Sequence, residues 1–399
     1  MTTSTTPTAA PRRPGFTTVL VAMTGAKSTS NLALRWIGPF LPTLERAFGA
    51  STGTLTGIMG AAELSGLTTS VMGRVLDGGR HRAVIAGGLV LASLSSVVAL
   101  GGSVWTFAIA MVLLVIGVAN LTVAGLAYIG DRVPYERRGR AIGIFETSWA
   151  IALLAGAPVL ALIIDAGGWR AAYLTLAGLT AIGALVVWRV VPGTPVRTGT
   201  GDAGTGAGNS DTVRRRLPAT AWPPILTAAC LAAAGIGMFV VTGAWLEDRH
   251  GLAVGGLGLV ATAMGAVELA SSSSVAGFAD RIGLRRSVTG GAALLGIGIG
   301  VIAVSGDSTV VAVVGLLALV AGFEFGFVAS LSVMSEAAPE ARGTALAVGN
   351  AVGTLSRSAA VVLSGQLYEA VGISGSLGLA AVALTGAVVA LWAPALRRR

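Results

Sequence analysis

The sequence predicts an all-α membrane protein of twelve transmembrane helices, arranged as two six-helix bundles related by a pseudo-twofold axis. Three observations predict it: a charge-poor, apolar composition, helix-length apolar runs from end to end, and a stretch of sequence that occurs twice. The 399 residues are 54% hydrophobic and 11% charged, with a mean hydropathy of +0.81. Soluble domains carry roughly 25% charged residues, so most of this chain is kept from water. Runs of about 20 apolar residues are long enough to cross a ~30 Å hydrocarbon core. Only helices and closed barrels satisfy their backbone groups there. The runs are continuous rather than alternating, which selects helices over a barrel.

Taken in order, residues 1–15 are rich in Thr and Pro, carry Arg12 and Arg13, and read as a disordered tail. Six spans follow at 16–44, 53–76, 83–101, 104–132, 139–165 and 169–191, forming an N-terminal bundle. Lys27 and Arg35 inside the first span argue against a cleaved signal peptide. Residues 192–219 are rich in Gly, Thr and Pro without apolar periodicity and read as a flexible linker. Six further spans, at 222–246, 256–280, 286–305, 309–336, 341–369 and 373–395, form the C-terminal bundle (220–395), and 396–399 are a short tail. The lone cysteine, Cys230, excludes an intramolecular disulfide, and no metal or cofactor motif is present.

The net charge of +9 would suggest nucleic acid in a soluble protein. Here its placement gives another answer. Twenty-one basic residues fall in the tails, the linker and the gaps on one side, whereas Arg46, Arg170 and Arg249 alone occupy the other side. That is the positive-inside pattern, and it places both termini in the cytoplasm and the protein in the cytoplasmic membrane.

The second span contains Met59-Gly60-Ala61 followed by Glu63-Leu64, and the eighth contains Met264-Gly265-Ala266 followed by Glu268-Leu269. Each stretch ends in Gly, Asp and an arginine cluster. A six-helix unit repeated in the same orientation puts a solute site near the midplane between the halves.

At these residues the chain resembles the major facilitator superfamily, whose signature joins the second and third helices as Gly-x-x-x-Asp-Arg-x-Gly-Arg-Arg. Gly73, Asp77, Gly79, Arg80 and Arg82 form a first copy, one residue short and with Gly78 where Arg is usual. Gly277, Asp280, Arg281, Gly283, Arg285 and Arg286 form a second. The glycines allow a tight turn and close helix approach, and the resemblance implies a gating contact by the aspartates and arginines on the cytoplasmic side. Residues 131–141 and 336–345 are similar to the family's links between helices 4–5 and 10–11, and Ala155-Gly156-Ala157-Pro158 is a degenerate form of its antiporter Gly-Pro motif. The resemblance covers Phe16 to Pro394. The fourth span, however, reads Leu-Leu-Val-Ile-Gly-Val-Ala-Asn-Leu-Thr-Val over 113–123, without the arginine of many proton-coupled exporters, and the helix 1 aspartate of many drug exporters is absent. The resemblance alone therefore does not carry proton antiport over.

Ionisable groups inside a membrane are costly, about 2.5–3.5 kcal/mol each on insertion scales, so each is a functional candidate. They are Lys27, Arg35, Glu63, Glu146, Glu268, Glu324 and Arg357, on spans 1, 2, 5, 8, 10 and 11. Spans 3, 6, 9 and 12, peripheral supports in the resembling fold, contain none in their cores. Lys27, Asn31 and Arg35 share one face of a helix through the spacing i, i+4, i+8. This polar stripe suits an anionic or zwitterionic solute, a lysine whose burial tunes its proton affinity, or structural ion pairs with Glu63 or Glu146. Arg357 is read as a further solute or glutamate partner, and Trp149 as a cavity-lining aromatic. Glu63, Glu268, Glu324 and Glu146 are the carboxyls available to take up and release a proton, with permanent pairing to Arg35, Lys27 or Arg357 as the alternative.

No phosphate-binding Gly-rich Lys-Ser/Thr motif is present, and His81 and His250 lie in loops, which disfavours an enzyme. The expectation is a monomeric secondary active transporter for a small organic solute, working by alternating access in the lipid bilayer. Proton-linked export leads. Uptake or exchange of an organic anion or zwitterion is the alternative within transport, and a non-transporting receptor or sensor is the alternative outside it.

Overall fold

A computed structural model describes residues 15–71, 79–193 and 217–393. The described residues form helices and turns without strands. The N-terminal tail, most of the linker, the C-terminal tail, and Gly73 and Asp77 of the first signature copy lie outside them.

The first predicted span divides. Helix α1 (Phe16–Arg35) gives way to a turn at 36–40 and resumes as α2 (Leu41–Phe48). Pro39 lies in the turn, and a proline has no N–H for the helix ladder while its ring crowds the carbonyl four residues back. Pro42 is tolerated in the first turn of α2, where the N–H has no intrahelical partner. Gly49, left-handed at φ 59°, ends α2. The second span is α3 (Thr52–Glu63), tightening into a 3-10 stretch over Leu64–Val71. The third and fourth are α4 (His81–Ala99) and α5 (Val104–Arg132).

Spans five and six also depart from two plain helices. The chain runs through α6 (Tyr135–Glu146), α7 (Ser148–Leu154) and α8 (Gly156–Val190). The break after Leu154 follows from Pro158, which cannot donate to the Leu154 carbonyl. Inside α8 a single residue, Gly168 at φ 71° and ψ −174°, reverses the chain between the two spans. The C-terminal half is more regular: α9 (Trp222–His250), α10 (Val254–Ile282), α11 (Leu284–Ala303), α12 (Thr309–Ala337), α13 (Arg342–Val371) and α14 (Ile373–Leu391). Gly283, at φ 86°, makes the turn between α10 and α11, and Gly79 at φ 70° precedes α4 in the equivalent link.

Nine helical stretches among the described residues are long and apolar enough to cross a membrane, one of them covering spans five and six together. Among the described residues α1, which carries the polar stripe, is not one of them.

Small residues set the helix crossings within each half. A Cβ on Gly88 of α4 would meet the Gly117 carbonyl of α5 at 2.5 Å, and the reverse distance is also 2.5 Å. The equivalent crossing in the C-terminal half pairs Gly291 and Gly298 of α11 with Gly322 and Gly315 of α12. Such close backbone approach is what small residues permit between membrane helices.

Between the halves, α3 packs along α13 and α10 packs on α7 and α8. The repeated Met-Gly-Ala stretches make these contacts. A Cβ on Gly60 would reach Val362 Cγ2 at 2.5 Å and the Ser358 carbonyl at 2.7 Å. Gly265 abuts the backbone of Ala150 and Leu154. Repeat-equivalent glycines therefore close repeat-equivalent interfaces. These contacts lie toward the end opposite the arginine-rich one, here called the far end, as do Gly38 and Gly243, where the first and seventh spans cross.

Candidate functional site

The polar stripe of α1 points at the fifth span. Lys27 Nζ pairs with Glu146 Oε2 at 2.8 Å and lies 4.3 Å from the Phe145 ring centre. One turn on, Asn31 Nδ2 donates to Ser148 Oγ at 3.2 Å, while its Oδ1 is buried without a partner. One turn further, Arg35 Nη1 donates to the Trp149 carbonyl at 2.8 Å. The spacing of 27, 31 and 35 thus meets residues 145–149, around the break between α6 and α7.

Arg35 also crosses to the other half. Its guanidinium holds Glu268 of α10 in a two-pronged pair, with Nη1 to Oε2 at 2.6 Å and Nη2 to Oε1. The plane is stacked against Trp149, 4.3 Å from the ring centre, with Phe239 of α9 at 5.1 Å. Both charged groups are buried. Bidentate geometry of this kind is the strong form of the Arg–carboxylate contact. Glu324 of α12 is buried too, and close enough to interact electrostatically with both Glu268 and Arg35. Glu324 thus lies within electrostatic reach of the pair, while the guanidinium's hydrogen bonds go to Glu268 and the Trp149 carbonyl.

The repeat-equivalent carboxyl, Glu63, makes the second cross-half pair. Its Oε2 lies 3.6 Å from Arg357 Nε on α13, and Arg357 Nη2 donates to Thr354 Oγ1 at 3.1 Å. This pair is looser and wetter, with side-chain exposures of 26% for Arg357 and 24% for Glu63. Glu146 is more open still, at 46% against 3% for Lys27. On the basic side of these groups α6 packs on α1, α5 and α7 of its own half.

The seven membrane charges thus gather into Lys27–Glu146, Glu63–Arg357 and the Arg35–Glu268–Glu324 triad. Of the predicted solute residues, Arg357 is the cation with accessible surface, whereas Lys27, Asn31 and Arg35 are buried. Trp149 covers Arg35. Trp36 and Trp245 are buried in the packing core.

The far end is closed by contacts between the halves. Arg46 pairs with Glu247, and Glu369 of α13 accepts hydrogen bonds from Gly53 N at 2.9 Å and Ser51 Oγ at 3.1 Å. Gln366 Nε2 donates to the Gly53 carbonyl at 3.0 Å, and Ser358 Oγ to the Gly60 carbonyl at 2.7 Å. Beside them Thr52 donates to Glu45, whose carboxyl is pushed up by burial and by the nearby Asp248 and Glu247 carboxylates, against the Thr52 hydrogen bond and Arg46.

The described residues of the two signature copies lie at the arginine-rich end. Arg82 stacks on Trp188 at 4.3 Å, Arg80 is exposed before α4, and Arg281 is exposed at the end of α10. Arg285 lies in the first turn of α11, beyond Gly283. A Cβ on Gly277 would meet nothing within 4 Å, so the close helix approach expected of this glycine is not realised. Nothing is described for the Asp280 side chain.

Sequence reasoning missed Ser148, Phe239 and Thr354, the neutral partners of the charges, and the far-end pair Gln366 and Glu369. The one available signal for the latter was two polar residues at i, i+3 near the end of a membrane span.

Comparison with known proteins agrees with this architecture. The Major Facilitator Superfamily model matches residues 23–361 and, in a second match, 225–399. An uncharacterized MFS-type transporter, YwfA of Bacillus subtilis (strain 168), is 28% identical over 138 residues, which is 34% of this chain and 33% of that protein. The match thus spans about a third of the curated relative's length. A bacterial homolog of the human lysosomal transporter Spinster, in an inward-facing and unoccupied conformation, superposes with a TM-score of 0.77 at 16% identity, covering 97% of this chain and 98% of that one. The D-xylose-proton symporter gives 0.73 at 16% identity, over 94% and 97%.

Proposed function

The chain belongs to the major facilitator superfamily, and from that premise we propose that it is a proton-linked secondary transporter for a small organic anion or zwitterion, working by alternating access. The carrying observation is the buried triad, two carboxyls and one guanidinium, built across the interface between the halves. Breaking a buried ion pair by removing one partner costs roughly 3–5 kcal/mol. The halves therefore separate at Arg35 and Glu268 when another group replaces the lost partner.

Charge balance says which groups can. The triad is neutral with one proton on Glu268 or Glu324. A second proton leaves Arg35 without a counter-ion, and an anionic group of the solute restores it. Arg357, half-buried midway along α13, is the cation with accessible surface that such a solute meets, and its loose 3.6 Å pairing with Glu63 leaves it free to be drawn away. This balance favours proton and solute moving together. The expected export by antiport rests on the Gly156–Pro158 segment, which breaks the fifth span beside Trp149, and remains the second reading.

The experiment uses purified protein in liposomes containing a pH-sensitive dye, with a panel of small organic anions first screened by thermal shift. An anion that binds and acidifies the lumen when added outside supports joint movement. Lumen alkalinisation supports exchange. The double variant Glu268→Gln/Glu324→Gln, which leaves no carboxyl beside Arg35 to protonate, should abolish the proton signal while the thermal shift persists. Transport of a bound anion with no lumen pH change in the unmutated protein removes proton coupling.

A further inference from the structure

The far end carries a contact in which side chains of one half grip the backbone of the other. Helix α3 begins at Thr52, and the N–H groups of its first turn have no intrahelical partners. Ser51, the helix's own cap, accepts from Thr54 N at 3.3 Å. The Gly53 N–H is taken instead by a carboxylate of the opposite half: Glu369 Oε2 at 2.9 Å, which also accepts from Ser51 Oγ at 3.1 Å. One turn earlier on α13, Gln366 donates to the Gly53 carbonyl at 3.0 Å. Gly53 is held on both its backbone groups by side chains from the other half.

The sequence is shaped to admit this grip. A Cβ on Gly53 would overlap Glu369 Oε2 and lie 3.0 Å from Gln366 Nε2. The next contacts inward, Gly365 against Thr56 and Gly60 against Ser358 and Val362, also leave no room for a Cβ. Residues 53, 56 and 60 share one face of α3, so the contact is continuous from the end of the helix to the Glu63–Arg357 pair.

We propose that Glu369 is a conformational latch: it caps helix α3 from across the interface and so holds the far end shut, biasing the resting protein toward opening at its basic end. A negative group at a helix N-terminus is favoured by the exposed N–H groups and by the helix dipole. When the far end opens, Gly53 and Ser51 lose Glu369, and that loss is a differential contact that shifts the population. Neither the identity of the solute nor the coupling ion enters this argument, so the latch stands or falls apart from the proposed function.

The test is a distance measurement by double electron–electron resonance on the full chain, with spin labels at the exposed far-end positions Ala166→Cys and Ser374→Cys in a Cys230→Ser background. The unmutated protein should show mainly the short distance. Glu369→Ala should raise the ratio of long to short populations about five- to tenfold, the expected scale for loss of a helix cap. Glu369→Gln, which keeps an acceptor but no charge, should fall between. Gly53→Ala attacks the same contact sterically from the other half and should shift the ratio in the same direction. An unchanged distribution in Glu369→Ala overturns the latch. Should that variant not fold, Gly53→Ala decides it by the same two outcomes.

Discussion

Lys27 and Glu146 divide their pair unequally, the ammonium enclosed and the carboxylate nearly half in water. Removing one or the other therefore has different consequences. Lys27→Met replaces a buried cation with an apolar chain of similar length and leaves Glu146 hydrated, so thermal stability in detergent should fall by no more than about 1 kcal/mol. Glu146→Ala strands the ammonium beside Phe145 and should cost roughly 3–5 kcal/mol. Equal losses would mean that the pair is solvated on both sides. At this scale the sequence was legible in one respect: the i, i+4, i+8 spacing put 27, 31 and 35 on one face. Their partners were not, because Ser148, the Trp149 carbonyl, Phe239 and Glu268 come from distant segments. Neutral groups such as Ser148 and Phe239 carry no charge by which to be noticed in an apolar run.

Helices in this protein meet where glycine lets backbones touch, and the same device recurs in both halves: Gly88 with Gly117, Gly291 and Gly298 with Gly322 and Gly315. At Gly322 a Cβ would overlap the backbone nitrogen of Leu295, which cannot move aside as a side chain can. Gly322→Ala should destabilise the fold by roughly 1–3 kcal/mol. Gly87→Ala, one residue from Gly88, meets nothing within 4 Å, and Ala is the better helix residue by about 0.5–1 kcal/mol. Thermal unfolding of the two variants should move in opposite directions, and matching shifts would remove the steric account. Span existence was readable from hydropathy. The breaks at Pro39, at Ala155 before Pro158, and after Glu63 were not, because an apolar run stays apolar through a break in its hydrogen-bond ladder.

Across the whole molecule, two bundles meet through repeat-equivalent surfaces, and the arginine bias sets their expected orientation in the membrane. An impermeant thiol reagent applied to intact cells should label Ala166→Cys at the far end. Gly139→Cys at the basic end should react after permeabilisation, both in a Cys230→Ser background. Labelling in the reverse pattern would invert the orientation. Glu63 and Glu268 show how the duplication has been used asymmetrically. Both sit one turn inward of a repeat-equivalent glycine, and both face a cation of the opposite half. One meets Arg357 in a wetted, loose pair; the other meets Arg35 in a sealed, two-pronged one.

By itself the sequence determined the membrane class, the number and order of spans, the duplication, and the candidate charges, because apolar length, charge bias and repeated motifs are local properties of the chain. Only the tertiary structure decided which charges meet, which are sealed and which are wet, and where the two halves close. Those are relations between segments a hundred or more residues apart, and burial in a common low-dielectric interface, rather than any local preference, selects the partner for each.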